Sequence, residues 1–208
     1  MRQYELNSAD YIKCLFIDYL LSKNKDLIIG SELMYGIKRK VVDLVVIQNN
    51  KTIAVEIKSN NDNLSRLNEQ ISEYKKIFDY VLIVTTEKHV EHICKIAPPE
   101  IGIQIVEENR IFKIFRNPRI QKNKDKQEIL FSINAKYLSK LEGLSLSKHN
   151  ADEIRQKYAK RRISYIQEIL LMYLIQKYKE RFALFLNERG LLTHIEDLSI
   201  LSSSFQIE

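Results

Sequence analysis

Two acidic residues and one lysine stand inside apolar stretches of this sequence. Asp43 lies within VVDLVV, and Glu56 and Lys58 lie within AVEIKS. An acid in such a setting is costly unless it is paired or binds a metal ion. Carboxylates are preferred ligands of Mg²⁺ and Mn²⁺, and the bound ion polarises a phosphate and activates water. The residue types therefore indicate metal-dependent hydrolysis of a phosphate ester.

The two apolar stretches are predicted to be neighbouring strands of an antiparallel hairpin. Residues 40–48 and 51–59 are rich in Val and Ile, which favours strands. Asn49 and Asn50 stand between them and tolerate the left-handed conformation of a tight turn. The hairpin brings the two acids onto facing arms.

Strand alternation places Glu56 and Lys58 on one face of their strand, where Asp43 can meet them. The lysine could position or deprotonate the nucleophile, or stabilise charge on the phosphate. The backbone carbonyl of Ile57 is a further candidate ligand. Taken singly, each residue has an ordinary structural interpretation, as a Lys–Glu pair on a half-exposed strand or an acid at a strand end.

The rest of the first half alternates helical and strand patterns. Apolar residues spaced by three and four positions indicate helices, and short apolar runs indicate strands. In chain order we predict a helix over 8–23, a strand over 27–35, the hairpin, a helix over 60–78, a strand over 80–85, a helix over 87–96 and two short strands within 101–115. Strands interleaved with helices predict an α/β fold with a mixed sheet.

The pattern changes after Pro118. Residues 121–127 form a polar, charged stretch that suggests a linker. Helical patterns follow over about 127–142, about 150–178 and about 179–188. We therefore predict a core domain over 1–118 and a helical C-terminal region over 119–208. The dense apolar stripe of this region is a candidate contact surface for a second copy or a protein partner.

Composition is consistent with a globular protein that meets a polyanion. The 208 residues are 45% hydrophobic, 29% charged and carry a net charge of +6, with basic residues concentrated over 110–162. Cys14 and Cys94 have no metal-ligand spacing, and we expect free thiols in a reducing compartment. The N-terminus lacks a signal-peptide pattern, and no apolar run has membrane-spanning length. We therefore expect a soluble, cytoplasmic protein.

The spacing Asp43–x12–Glu56-Ile57-Lys58, with its order of elements, resembles the PD-(D/E)XK, or restriction-endonuclease-like, nuclease superfamily. Within it the chain looks like a bacterial group whose role is unassigned. Val42 stands where the superfamily usually has Pro. The resemblance implies an αβββαβ core, here with a helical appendage. It also implies that Asp43 and Glu56 bind Mg²⁺ or Mn²⁺ and that Lys58 is the catalytic lysine. Our first hypothesis for the substrate is DNA, and the sequence leaves RNA open.

Five flanking residues extend this interpretation. Glu32 corresponds to an additional acid that family members often carry, although an exposed strand glutamate is the alternative. Gln70 and Tyr74 form QxxxY on the helix after the motif, which resembles RecB-like nucleases. With Arg66 they share one helical face and could contact phosphate or brace the lysine, or be core and surface residues. Arg39 could meet phosphate or lie in a solvated turn.

Two other classes of function stay open. A catalytically inactive module with the same fold could bind nucleic acid or a partner protein. A structural subunit of a larger assembly would use the apolar C-terminal stripe as an interface. The intact set of two acids and one lysine favours the enzyme, because a decayed site usually loses one member.

Overall fold

The computed structural model describes residues 5–144 and 150–202, and its strands form one six-stranded mixed sheet. The strands are β1 (Leu27–Tyr35), β2 (Lys40–Gln48), β3 (Lys51–Lys58), β4 (Tyr80–Thr86), β5 (Gly102–Val106) and β6 (Phe112–Arg116). Their order in the sheet follows the chain. β3, β4 and β5 are parallel neighbours, and the other pairs are antiparallel.

Helices occupy both halves of the chain. After a short 3-10 helix (Glu5–Asn7) come α1 (Ala9–Lys23), α2 (Leu67–Ile77) and α3 (Glu87–Ile96), and the C-terminal half contains α4 (Lys126–Ser132), α5 (Ala135–Leu141), α6 (Ala151–Ala159), α7 (Ile163–Glu188) and α8 (Leu198–Leu201). The predicted α/β class, the αβββαβ order, the mixed sheet and the helical C-terminal region are all confirmed. None of the described helices is long and apolar enough to span a bilayer.

Each face of the sheet is covered by its own apolar cluster. The α1-side cluster contains Phe16 of α1 together with Val55 and Ile57 of β3. The α2-side cluster contains Ile71 of α2 and Ala54 of β3. Neighbouring residues of β3 therefore point to opposite faces, as strand geometry requires. Glu56 and Lys58, which alternate with Ile57, share the α2 side with Ala54.

β1 and β2 change faces close to the predicted aspartate. Ile29 packs in the α1-side cluster and Leu33 in the α2-side cluster, although a regular strand would keep both on one face. Glu32 between them has φ of 52°, so a local irregularity reverses the alternation. Val42 and Leu44 of β2 likewise lie in opposite clusters. Such irregularities redirect side chains and are frequent beside functional sites.

The C-terminal helices differ in detail from the prediction. The expected helix over 127–142 is two helices, because Asn134 is extended and its side chain caps α5 through the Lys136 N–H. The expected break near 178 is absent, and α7 continues to Glu188. The predicted apolar stripe of α7 is buried against the sheet and neighbouring helices. Tyr165, Met172 and Leu186 of the same helix are exposed, and a partner at this helix stays a prediction.

The stretch predicted as a linker is fixed to the core. The Gln121 N–H donates to the Asp79 carbonyl at 2.8 Å, and the Asp125 N–H donates to the Lys76 carbonyl at 2.9 Å. The Asp125 side chain then caps α4. These bonds hold residues 121–125 against the end of α2. The division of the chain at 118 stays a prediction.

Candidate active site

The three predicted catalytic residues come together where the β2–β3 ladder ends. The Asp43 carboxylate accepts the Ile57 N–H at 2.7 Å, and the paired ladder stops one residue short of Asp43. The Lys58 ammonium donates to Glu56 Oε1 at 2.7 Å. The aspartate therefore binds the β3 backbone between the glutamate and the lysine. Strand alternation places Glu56 and Lys58 together, and Asp43 meets them where the alternation of β2 changes.

Glu56 is oriented by donors from its own strand and from α2. Its Oε1 accepts from Lys58 and from Gln70 Nε2, the latter at 2.5 Å, and its Oε2 accepts from the Tyr74 hydroxyl. Gln70 and Tyr74 stand one helical turn apart and so face the same way. Burial raises the pKa of Tyr74 well above its usual value, which keeps the phenol protonated as a donor. The carboxylate, which is buried, has one fixed position.

The surroundings of Asp43 disfavour its ionised form. Burial, and after it the nearby Glu56 carboxylate, raise the pKa of Asp43 to about 7. The Ile57 N–H and the ammonium groups of Lys13 and Lys58 act in the opposite direction. Two acids that repel each other favour either a shared proton or a bound cation. The electrostatics of the site therefore suit a divalent metal ion.

The surrounding groups fit a small, partly hydrated cation. Over residues 5–144 and 150–202, no group of three or more His, Cys, Asp and Glu side chains is placed to hold a metal. Asp43, Glu56 and the Ile57 carbonyl would therefore share the ion with water, as Mg²⁺ allows. The Gln70 amide oxygen is buried beside Glu56 without a hydrogen-bond partner. An orphan acceptor of this kind is suited to a water of hydration.

Glu32 lies opposite Asp43 on the neighbouring strand, between the pairs Ser31–Leu44 and Leu33–Val42. It is exposed on β1, and its carboxylate accepts from the Ser202 hydroxyl at 3.4 Å. It lines a cavity of about 320 Å³ that also includes Asp10 and Lys13 of α1. The metal-binding role of Glu32 stays a prediction.

Lys13 is a basic group near the site that the sequence interpretation missed. It is 6% exposed, and its ammonium lies 3.3 Å from Asp10 Oδ1. Its charge favours the ionised form of Asp43. The signal was present, because Lys13 precedes Phe16 and Ile17 by three and four positions and therefore shares their buried stripe.

Comparison with known proteins places the chain in a family. A family model described as "Bacteriophage P4 protein cII" matches residues 2–202. The chain belongs to this family. No curated protein gives a significant match. A solved protein of unknown function from Silicibacter pomeroyi is 14% identical, with 66% of this chain and 84% of that chain covered and a TM-score of 0.37. That similarity is too low to support any conclusion about the site.

The two predicted arginines of this cII-family chain lie on the surface. Arg66 is exposed immediately before α2. Arg39 is exposed in the turn between β1 and β2, where its φ is 51°. Their predicted contacts with substrate stay predictions.

Some side chains of the predicted basic region make hydrogen bonds within the fold. Arg116 donates to the carbonyls of Ile101 and Ala97. Lys124 donates to the Phe78 carbonyl, and burial lowers the pKa of Lys124 to about 8. Other basic side chains of the region are exposed and remain candidates for phosphate contacts: Arg119, Lys122, Lys160, Arg161 and Arg162.

We expect Tyr74→Phe to destabilise the protein by about 1–3 kcal/mol, because it removes a donor from a buried carboxylate. Tyr165→Phe is the matched control, since Tyr165 is 42% exposed and its substitution should change stability little. Urea unfolding of both variants provides the comparison. Equal free energies of unfolding for the two variants would show that the Tyr74 hydroxyl contributes nothing to holding Glu56.

Proposed function

We propose that this chain is a metal-dependent nuclease that hydrolyses phosphodiester bonds, with DNA as its substrate. The observation that carries the proposal is the meeting of Asp43, Glu56 and Lys58 at the end of the β2–β3 ladder. The resemblance of D–x12–ExK to the PD-(D/E)XK motif supports it. The raised pKa of Asp43 supports it as well, since perturbed acids cluster at functional sites. A nucleic-acid partner and a cytoplasmic setting are parts of the same proposal.

Each residue of the site has a definite role in this reaction. Asp43, Glu56 and the Ile57 carbonyl would hold Mg²⁺ or Mn²⁺, which when bound supplies Lewis-acid polarisation of the phosphate. The Lys58 ammonium, beside Glu56, orients the attacking water or neutralises charge that develops on the phosphate. Exposed basic residues elsewhere on the chain would give contacts with phosphates that do not depend on base sequence.

The test is a cleavage assay of the full chain on single-stranded DNA, double-stranded DNA and RNA, with Mg²⁺, Mn²⁺ or a chelator. We expect DNA cleavage only with metal. We expect Lys58→Met to reduce its rate about a hundredfold or more. Lys75→Met is the matched control, because Lys75 is also paired with a glutamate, Glu100 at 2.5 Å, but belongs to a different network. Its rate should match that of the wild-type protein.

The folded state of each variant is checked by circular dichroism and urea unfolding, because Lys58 removal leaves Glu56 with one donor fewer. Wild-type cleavage rates in a folded Lys58→Met protein would reject the assignment of the site. RNA cleavage without DNA cleavage would keep the mechanism and correct the substrate.

An inactive binding module is the second candidate, and one observation favours it. Three donors already bind Glu56, and such a network can keep a buried acid in place without any metal. This alternative predicts DNA binding that weakens steeply with salt and no product with any divalent metal. It also predicts that Lys58→Met leaves that binding unchanged.

A further inference from the structure

The β6 edge of the sheet carries exposed apolar side chains. The sheet order ends at β6. Ile111 and Ile114 are each 55% exposed, Phe115 is 54% exposed and Ile120 is 45% exposed. These four residues, here called the β6 edge patch, lie within ten consecutive positions. Contiguous exposed apolar groups on a sheet edge mark an interaction surface or an aggregation hazard.

The backbone of β6 is placed to accept another strand. The Glu107 N–H donates to the Ile111 carbonyl at 3.0 Å. This bond fixes which residues of β6 are hydrogen-bonded to β5. Alternation along an antiparallel pair then directs the N–H and C=O groups of Phe112 and Ile114 away from β5. Over the described residues, the sheet has no strand beyond β6 to receive them.

The two basic side chains of β6 make contacts within the chain. Natural edges use lysine and other charged side chains to block pairing. The Lys113 ammonium is bound to Glu107. The Arg116 guanidinium folds inward onto the carbonyls of Ile101 and Ala97. Both basic side chains of β6 are therefore paired within the chain, while the apolar side chains of the β6 edge patch stay exposed.

We propose that β6 pairs with β6 of a second copy of this chain, antiparallel and centred on Ile114, so that two six-stranded sheets join across a two-fold axis. Symmetric self-pairing is the commonest form of assembly. It also supplies a charge match. The exposed Glu108 precedes β6 and the exposed Arg119 follows it, so antiparallel pairing sets the acid of each copy near the arginine of the other. Ile114 meets Ile114 at the axis.

The first test is the mass of the full chain in solution, measured by sedimentation equilibrium across micromolar concentrations. We expect a species of twice the 24.6 kDa of one chain. Ile114→Asp should weaken this dimer at least about tenfold, because it places two carboxylates together at the axis. Met172→Asp on α7 is the matched control, since Met172 is 47% exposed, and it should not change the dimer.

The second test is a cross-link that only this register allows. Directly opposed residues of a hydrogen-bonded antiparallel pair have Cα atoms about 5.5 Å apart, which is within disulfide range. In a Cys94→Ser background, Ile114→Cys should oxidise to a covalent dimer, and Met172→Cys should not. Cys14 is buried and does not compete.

Three results would overturn the proposal. They are a monomeric wild-type protein throughout the concentration range, an Ile114→Asp protein that dimerises as the wild type does, and equal cross-linking at positions 114 and 172. If a different protein covers the β6 edge, the wild-type chain is monomeric by itself, which is the first of these results. None of these measurements involves cleavage, so they test the dimer independently of the proposed nuclease activity.

Discussion

Asp43→Asn is expected to reduce metal-dependent cleavage by at least about a thousandfold and, at the same time, to stabilise the protein. The loss follows because an amide is a poorer ligand than a carboxylate and no third acid joins the pair in the described residues. The gain follows because burial and the Glu56 charge oppose ionisation of Asp43. The asparagine oxygen can still accept the Ile57 N–H that Asp43 accepts at 2.7 Å.

The stabilisation should depend on pH in one direction. The pKa of Asp43 rises from 3.8 to about 7 on folding, so the folded protein binds a proton that the unfolded chain has lost. Stability is therefore fully retained below the ordinary pKa and falls as the pH rises through the folded pKa. The advantage of Asp43→Asn should grow between about pH 4 and about pH 7 and then stay constant, at about 4 kcal/mol.

Urea unfolding with a chelator present, at about pH 5 and about pH 8, measures this difference. Asp152→Asn is the control, because the Asp152 side chain is 74% exposed and its substitution should give no pH-dependent gain. A stability difference between Asp43→Asn and wild type that is independent of pH would show that the aspartate does not titrate in this range. Retained cleavage by the same variant would remove Asp43 from the metal site.

The core of the candidate site was predictable because it depends on local geometry. Strand alternation relates Glu56 to Lys58, and a hairpin with a two-residue turn relates both to Asp43. The structure places all three together. Nothing in this reasoning needs a contact between distant parts of the chain. The spacing of Gln70 and Tyr74 by one helical turn predicted that they share a face, but their common contact with Glu56 depends on how α2 packs on the sheet.

The environment of the site was less predictable because it depends on irregular backbone and on long-range packing. The alternation of β1 reverses at Glu32, where φ is 52°, and a pattern of apolar residues cannot show which way a side chain points beyond such a position. Lys13 comes near Asp43 from a helix on the opposite face of the sheet. That proximity follows from how α1 packs, which no local spacing contains.

The position of α7 also depends on long-range packing. Leu174 and Tyr178 of α7 belong to the α2-side cluster, whereas Phe182 and Phe185 belong to the α1-side cluster. One helix therefore passes the β1 edge and contributes to both faces of the sheet. Helical periodicity predicts an apolar stripe but does not say which surface it covers. The crossing requires a close approach between the helix and β1.

Gly30→Ala is expected to destabilise the protein by about 3 kcal/mol, because Gly30 is the residue of β1 that α7 crosses. A Cβ there would lie 2.5 Å from Cγ of the Tyr178 ring. That ring is completely buried, and its hydroxyl is 3.5 Å from the Ser31 carbonyl, so it cannot move aside without displacing α7 or β1. In a strand without this contact, alanine would be slightly favoured over glycine, so the sign of the effect is diagnostic.

Thermal and urea unfolding test this expectation, with Gly190→Ala as the matched control, because no atom lies within 4 Å of a Cβ built at Gly190. The control should match the wild type or exceed it slightly. A Gly30→Ala protein as stable as Gly190→Ala would mean that α7 does not press on β1 in solution. Since β1 pairs with β2 on both sides of Asp43, a shift of α7 should also reach the site. The folded fraction of Gly30→Ala should then cleave more slowly than wild type, although no catalytic residue has been changed.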